Sequence, residues 1–293
     1  MTTLDEISSI LQATAALAGP ATVGIGSGWG QGSGVVVKPG LVLTNAHNLR
    51  DAPATLTFAD GRIAEAEPRG VDIDADLAVL ASDTAEVSPI AWSDTSPSLG
   101  SPVIALANPG GRGLRVTHGH VSALSQRFRG PRGRRIAGSI EHTAPLAKGS
   151  SGGPLLDTSG RLLGVNTNRL GEGFYLAIPA DEVLRAKIEA LAAGQVPPRR
   201  HLGAALAPAQ VAARLRAAVG LPEREGLLVR GVEPAGPAAQ AGLAVGDLIV
   251  SAGGRPVSKV DDLHSALDAG DEPLILGVLR GAEEQTLTVA FGK

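Results

Sequence analysis

The sequence contains no cysteine, few aromatic residues and no long apolar run. Without cysteine, disulfides, zinc–thiolate sites and a cysteine nucleophile are excluded. Aromatic residues make up 2% of the 293 residues against 43% hydrophobic residues, so we expect a core of alanine, valine, leucine and isoleucine. The formal net charge of −3 predicts no general attraction to nucleic acid. No stretch is long enough to span a bilayer, and no membrane association is expected.

The N-terminal segment lacks the basic residues of a secretory signal. Asp5 and Glu6 stand where a signal peptide carries lysine or arginine, so we expect a cytoplasmic protein. Apolar residues recur at helical spacing over 4–18, before Gly19 and Pro20, which predicts a short helix within residues 1–20 that packs on the protein body. A membrane-surface anchor is the alternative, but the apolar face lacks basic residues.

The remaining chain divides into a β-rich region and a mixed region. From 21 to 194, short apolar runs alternate with turn residues, which predicts an antiparallel barrel or sandwich with a helix over 179–193. The double proline in 195–200 predicts an extended linker. From 201 to 293, we predict an α+β domain with helices at 211–219, 237–241 and 261–268 and strands at 226–231, 247–251, 274–279 and 285–291.

Three residues have the chemistry and local context of a nucleophilic site. His47 follows an apolar strand, Asp76 precedes the apolar run 77–80, and Ser151 lies within 149–154, GSSGGP. A serine hydroxyl needs a neutral imidazole to take its proton, and the imidazole needs a carboxylate to orient it. The chain order His, Asp, Ser is that of a chymotrypsin-type double β-barrel rather than of an α/β-hydrolase or a subtilisin.

The small residues around the serine predict an oxyanion hole. They let the backbone turn sharply and direct the amides of Gly149 and Ser151 at a developing oxyanion. Taken singly, the glycine-rich segment is compatible with an ordinary loop and His47 with a structural role, while Asp72 and Asp74 compete with Asp76. The conjunction of all three pieces favours nucleophilic catalysis.

A longer series of segments carries a family resemblance. In chain order these are 32–36 (GSGVV), 43–47 (LTNAH), 76–80 (DLAVL), 107–111 (ANPGG), 121–124 (VSAL), 149–154 (GSSGGP), 164–167 (GVNT) and 176–179 (LAIP). With them the chain resembles the HtrA (DegP/DegS-type) family of trypsin-like serine proteases with a C-terminal PDZ domain. The resemblance implies a mainly β protein, with a chymotrypsin-like double β-barrel protease domain over 21–194 and a small α+β PDZ domain over 201–293. It also selects Asp76 over Asp72 and Asp74.

The resemblance also places the substrate pocket. It implies that Leu146 helps to shape the S1 pocket and that the strand around Asn166 and Thr167 forms another wall. An apolar pocket without a fixed charge favours cleavage after small or medium apolar residues. Asp157 lies in a predicted turn and is a poor candidate for a pocket-base charge. Ser150 excludes the aspartate with which trypsin-like zymogens clamp a new N-terminus.

The segment His201, Leu202, Gly203 and Ala204 resembles the carboxylate-binding loop that opens PDZ domains of this family. Such a loop captures the terminal carboxylate of an extended peptide, which adds as a strand to the sheet. C-terminal peptides are therefore the expected partners of this domain, and a purely packing role is the alternative.

Several features depart from the family pattern or allow more than one interpretation. Asn48 follows His47 where the family carries valine, and Trp29 is the one aromatic residue of the region where family trimers use several, which leaves a homo-oligomer open. The arginine-rich segment 127–135 resembles the family's sensor loop, with a nucleic-acid patch and a solvated hairpin tip as alternatives. We interpret His118 and His120 as structural, and we expect no metal and no cofactor.

The combined prediction is a serine endopeptidase that cleaves unfolded or exposed protein segments through an acyl-enzyme. Ser151 attacks, His47 acts as general base and then acid, and Asp76 orients it. A PDZ-based binding protein or chaperone with an idle protease site is the main alternative. A small-ester hydrolase is a third interpretation.

Overall fold

The chain forms two compact units, residues 1–197 and 198–293, which are described separately. The computed structural model describes residues 2–27, 30–49, 54–130, 135–169, 171, 173–195, 200–269 and 273–291. Most of the predicted linker 195–200 therefore lies outside the described residues, as do Trp29 and residues 131–134 of the arginine-rich segment.

The first unit begins with helix α1, Thr3–Ala18, close to the predicted span. Thr2 and Asp5 form a capping box that satisfies amides at its N-terminus. Of the predicted apolar face, Leu11 packs against the core of this unit, while Leu4 and Leu17 are 77% and 66% exposed. The helix also buries Thr14 and Ala18. Among the described residues, no helix is long and apolar enough to cross a membrane.

The first six strands of this unit form a closed antiparallel barrel in the order β1-β2-β3-β6-β5-β4. Its interior is filled by aliphatic side chains that are completely buried, such as Ile25, Val35 and Leu56. The strands are β1 Thr22–Ser27, β2 Gly30–Lys38, β3 Leu41–Thr44, β4 Ala54–Thr57, β5 Ile63–Asp72 and β6 Leu77–Ser82. A short 3₁₀ turn, Ala46–Asn48, follows β3.

The next six strands close a second antiparallel barrel in the order β10-β11-β12-β9-β8-β7. Leu155 and Ala177 belong to its core. The strands are β7 Pro102–Ala107, β8 Arg115–Arg129, β9 Arg135–His142, β10 Pro154–Leu156, β11 Leu162–Arg169 and β12 Tyr175–Pro179. The two barrels match the predicted double β-barrel, and their short turns carry the candidate residues.

Helix α2, Glu182–Ala192, ends the described part of the first unit's regular structure. The carboxylate of Asp181 caps it by accepting a hydrogen bond from the Leu184 amide at 2.9 Å. The helix contacts β5 and β6, where a Cβ at Gly70 would stand 2.5 Å from the Leu191 carbonyl oxygen. A glycine at position 70 therefore permits the close approach of α2 to the first barrel.

The second unit is an α+β domain built on one antiparallel sheet, with the path β13-β14-β15-β17-β18 and β16 paired to β15. The strands are β13 Ala204–Ala207, β14 Leu227–Val232, β15 Leu248–Ala252, β16 Arg255–Pro256, β17 Leu274–Arg280 and β18 Glu283–Val289. The helices are α3 Ala209–Ala218, α4 Pro237–Gln240 and α5 Val260–Asp268. Each lies close to its predicted span, and β13 forms one edge of the sheet.

Candidate active site

Three turns bring His47, Asp76 and Ser151 to one cleft of the first unit. His47 lies in the 3₁₀ turn after β3, Asp76 immediately precedes β6, and Ser151 lies in the turn before β10. The first two residues come from one barrel and the third from the other. The cleft thus opens where the two barrels meet, and a residue from either barrel can act on the same substrate bond.

The Asp76 carboxylate is held by three donors, which are the backbone amide and Nδ1 of His47 and the hydroxyl of Thr167. Asp76 is 3% exposed, and its backbone has the left-handed φ of 55°, which the Asn45 side-chain amide supports by donating to its carbonyl at 2.9 Å. Oδ1 accepts the His47 backbone amide at 3.1 Å, and Oδ2 accepts the Thr167 hydroxyl at 2.8 Å. A carboxylate with both oxygens bound in this way can orient an imidazole without moving.

The contact between Asp76 and His47 selects the histidine tautomer. Nδ1 of His47 lies 2.8 Å from Oδ2 and 2.9 Å from Oδ1 of Asp76. A carboxylate accepts hydrogen bonds, so Nδ1 must carry the proton. Nε2 is then unprotonated in the neutral ring and can take a proton from a nucleophile.

The Ser151 hydroxyl donates its hydrogen bond to the main-chain carbonyl of Thr167, at 2.7 Å. A hydroxyl has one proton, so it does not donate to His47 in this conformation. Rotation about the Cα–Cβ bond of Ser151 is therefore needed before His47 can act as its base.

The turn before Ser151 leaves the two amides of the predicted oxyanion hole unbonded within the described residues. The Ser150 amide donates to the Ala147 carbonyl at 3.1 Å, and Gly149 has a φ of 89° at the third position, which defines a type II turn. Among the described residues, neither the Gly149 amide nor the Ser151 amide donates to a protein acceptor. Both predicted donors remain available to an external oxygen.

The competing carboxylates have other contacts. Asp72 accepts the Ala75 amide at 3.0 Å and the Lys187 ammonium at 3.3 Å, which ties β5 to helix α2. Asp74 is buried in the same turn. Among the hydrogen bonds of the described residues, those to the His47 ring come from Asp76.

The cleft beside these residues has a volume of about 630 Å³. Of the predicted S1 residues, Leu146 and Thr167 line it. The full lining comprises His47, Asp76, Phe128, Arg129, Gly130, Leu146, Ala147, Lys148, Gly149, Ser150, Ser151, Thr167, Arg169 and Tyr175. The start of the arginine-rich segment thus borders the cleft, whose lining includes both apolar and cationic residues.

Asn166 does not line the cleft, although it was expected in the pocket wall. It is completely buried, with its side-chain amide donating to the Pro154 carbonyl at 3.2 Å and its Oδ1 lying 3.0 Å from Nε2 of His142. His142 is also completely buried and stacks on Tyr175, a residue of the cleft wall. Asn166 therefore supports the wall from behind.

The environment of His142 keeps its ring neutral. Burial lowers the pKa of His142 to about 4, against a smaller opposite effect of the Asn166 hydrogen bond. Because Asn166 presents its oxygen, His142 carries its proton on Nε2. His118 and His120 are exposed on β8, and the described residues contain no group of three or more histidine, aspartate or glutamate side chains that could hold a metal ion.

The predicted peptide-binding loop of the second unit precedes the edge strand β13. Leu202 is buried in the core of this unit, and Gly203 has a left-handed φ of 77°. The Leu202 carbonyl accepts the Ala238 amide at 2.9 Å and the Gly203 carbonyl accepts the Glu233 amide at 2.8 Å. His201 is half-exposed and lies 3.4 Å from the Glu233 carboxylate. Ala204 begins β13.

Sequence reasoning did not identify several residues of the site. The hydrogen bond from the Thr167 hydroxyl to Asp76 depends on strand pairing between distant segments. So do the positions of three residues that line the cleft, Arg129, Arg169 and Tyr175. The side chain of Asn48 also reaches the site, because its amide donates to the Ser151 carbonyl at 2.9 Å. The departure from the family's valine at position 48 was the one signal in the sequence.

Comparison with known families and proteins identifies a domain in each unit. Residues 32–165 match the trypsin-like peptidase domain and residues 228–280 match the PDZ domain. The chain is 36% identical over 279 residues to the serine protease HhoA of Synechocystis sp., covering 89% of this chain and 70% of HhoA. It is 35% identical to chloroplastic Protease Do-like 1 of Arabidopsis thaliana, covering 89% of this chain and 63% of the relative.

Solved structures give the same result. The serine endoprotease from Yersinia pestis is 30% identical, with a TM-score of 0.61 and 96% of each chain covered. The HtrA-type protease AlgW, solved with a decapeptide, is 25% identical, with a TM-score of 0.63 and 96% of this chain and 97% of AlgW covered. The chain spans about half the length of a DegP-like periplasmic endoprotease from Brucella suis, to which it is 34% identical.

Proposed function

The chain belongs to the HtrA family of trypsin-like serine proteases with a PDZ domain, and we propose that it cleaves unfolded or exposed protein segments through an acyl-enzyme. Ser151 is the nucleophile, His47 the general base and then acid, and Asp76 the residue that orients His47. The observation that carries this proposal is the hydrogen bond from Nδ1 of His47 to the buried Asp76, which leaves Nε2 unprotonated beside the serine turn.

The order of events follows from the geometry. The Ser151 hydroxyl turns from the Thr167 carbonyl to His47, which takes its proton as the oxygen attacks the substrate carbonyl. The oxyanion that forms is stabilised by the amides of Gly149 and Ser151. His47 then donates its proton to the leaving amine, and a water activated by His47 hydrolyses the ester on Ser151.

Cleavage of a protein chain requires an extended substrate in an open cleft. The cleft between the barrels is open to solvent, and its Leu146 wall supports cleavage after small or medium apolar residues. A folded substrate would not present its backbone in extended form, which supports unfolded or exposed segments as substrates. The open shape of the cleft is the observation that supports this substrate preference.

The test is digestion of a reduced, unfolded casein by the wild type and by Ser151→Ala, with mass spectrometry of the fragments. The proposal expects fragments from the wild type only, cut mostly after small or medium apolar residues. Digestion by neither protein would favour the binding protein with an idle site. Turnover of small esters without peptide cleavage would favour the esterase.

We also propose that the second unit binds the C-termini of proteins. Strand β13 lies at the edge of the sheet and can pair with an extended peptide, while the loop before it turns through a left-handed glycine, Gly203. Fluorescence polarisation with one apolar peptide, carrying either a free or an amidated C-terminus, tests this. Equal binding of the two forms would contradict capture of the terminal carboxylate.

A further inference from the structure

The side chain of Asn48 links the turn that carries the candidate base to the turn that carries the candidate nucleophile. It is 5% exposed, and its amide nitrogen lies 2.9 Å from the Ser151 carbonyl oxygen and 2.9 Å from the Thr44 hydroxyl. A carbonyl oxygen only accepts, so the amide group of Asn48 must face it. The bond crosses from the first barrel to the second.

Asn48 directly follows His47 in the same 3₁₀ turn. One residue of this turn is held by Asp76 and the next by the backbone of Ser151. The two contacts together determine the separation between the imidazole and the main chain of the serine. Small errors in such a separation are costly, because reacting groups must meet at close to 3 Å.

The surrounding backbone leaves room for this amide. A Cβ at Gly32 would stand 2.4 Å from the side chain of Asn48, so only glycine at position 32 allows the observed rotamer. The Ser33 amide is the second donor to the Ser151 carbonyl, at 2.9 Å, and a Cβ at Gly152 would collide with the Ser33 carbonyl. The first barrel therefore supports the nucleophile turn at close range.

We propose that Asn48 is a positioning residue that holds the main chain of Ser151 at the distance from which its hydroxyl can rotate onto His47. The proposal rests on the function proposed above, because it assigns Asn48 a role in the reactivity of that serine. With the main chain held, rotation of one side-chain bond separates the observed conformation from the reactive one. Without the Asn48 bond, the Ser33 amide is the remaining donor to this carbonyl among the described residues.

The experiment measures kcat and KM on a peptide substrate and the rate of Ser151 modification by a fluorophosphonate probe. Asn48→Leu keeps the branching and the number of heavy atoms of the side chain and removes the donor, and we expect kcat and the modification rate to fall about 10- to 100-fold with little change in KM. The matched control is Thr22→Val, which removes a buried hydrogen bond to the Ala18 carbonyl at 2.9 Å in the same barrel. It should lower the melting temperature and leave kcat unchanged.

A double-mutant cycle with Gly32→Ala gives an independent readout. Gly32→Ala should displace the Asn48 amide and lower kcat, whereas Gly26→Ala, where a Cβ would meet no atom of the described residues within 4 Å, should not. In the double variant Asn48→Leu/Gly32→Ala, kcat should fall no further than in the worse single variant.

Three results would overturn the proposal: unchanged kcat in folded Asn48→Leu, an equal loss of kcat in Thr22→Val, or fully additive losses in the cycle. Failure of the proposed function would look different. In that case the wild type itself would neither cleave the peptide nor react with the probe.

Discussion

The hydroxyl of Ser151 and the carbonyl of Thr167 are joined by a hydrogen bond of 2.7 Å, and Thr167 also binds Asp76 through its own hydroxyl. One residue of β11 thus contacts both ends of the candidate triad. The resting serine is not bonded to its base, although the base is already oriented. Activity then depends on a side-chain rotation and not on rebuilding the site.

Replacing Asp76 tests the orientation of the histidine. In Asp76→Asn, an amide faces Nδ1 of His47 and favours the tautomer with the proton on Nε2, which cannot act as a base. We expect kcat to fall by about 10⁴-fold. Asp72→Asn is the matched control, since Asp72 binds Lys187 and not His47, and steady-state kinetics on one peptide should show its kcat within a few-fold of the wild type. Equal losses in both variants would contradict the assignment.

Replacing Thr167 separates its two hydrogen bonds. Thr167→Val removes the hydroxyl from Asp76 and keeps the main-chain carbonyl, so Asp76 loses one of its three donors. A hydrogen bond to a charged group contributes roughly 1.5–3 kcal/mol, and we expect kcat/KM to fall about 10- to 100-fold. Thr167→Ser retains the hydroxyl and should recover most of the activity. Identical kinetics for the two variants would argue against the contact.

The sequence predicted the candidate triad more completely than it predicted the residues that hold the triad in place. The strand ends that carry His47, Asp76 and Ser151 have local signatures, because catalysis restricts the residues beside them. The contact of Asn48 with Ser151 joins residues 103 apart in sequence. No local pattern records it, because it depends on how the two barrels close on each other.

The spacing of apolar residues predicted secondary structure better than it predicted which side chains are buried. The periodicity of α1 predicted the helix, yet its leucines at 4 and 17 remain exposed, because the helix contacts the barrels through Leu11, Thr14 and Ala18. Asn166 shows the same limit. Its place in the strand was predicted, but whether its side chain faces the cleft depends on the buried partner His142.

Leu146 tests the specificity of the cleft. Leu146→Ala enlarges the pocket and should raise kcat/KM for peptides with a large apolar residue before the scissile bond, relative to those with alanine or valine. The variant removes three side-chain carbons, and even one methylene in an apolar pocket corresponds to about a 10-fold shift in preference. Leu99→Ala, at a position that is 67% exposed, is the control. An unchanged profile over a peptide series would place the pocket elsewhere.

His142 predicts a dependence of stability on pH. The pKa of His142 is about 4 in the folded protein, against the ordinary histidine value of 6.5. Between pH 4 and 6.5 the protein therefore takes up a proton when it unfolds. The free energy of unfolding falls as the pH is lowered through this window. The shift corresponds to roughly 3 kcal/mol. Denaturant melts of wild type and His142→Gln at pH 7.5, 6, 5 and 4 should show a steeper loss in the wild type. Parallel curves would refute this assignment.

The central claim, that Ser151 is a nucleophile activated by His47, is tested most directly by covalent labelling. The full chain is incubated with a fluorophosphonate probe, and the adduct is mapped by peptide mass spectrometry. The account predicts one adduct, on Ser151, and its loss in His47→Ala although Ser151 is still present. No adduct in the folded wild type, an adduct on another residue, or unchanged labelling in His47→Ala would contradict it.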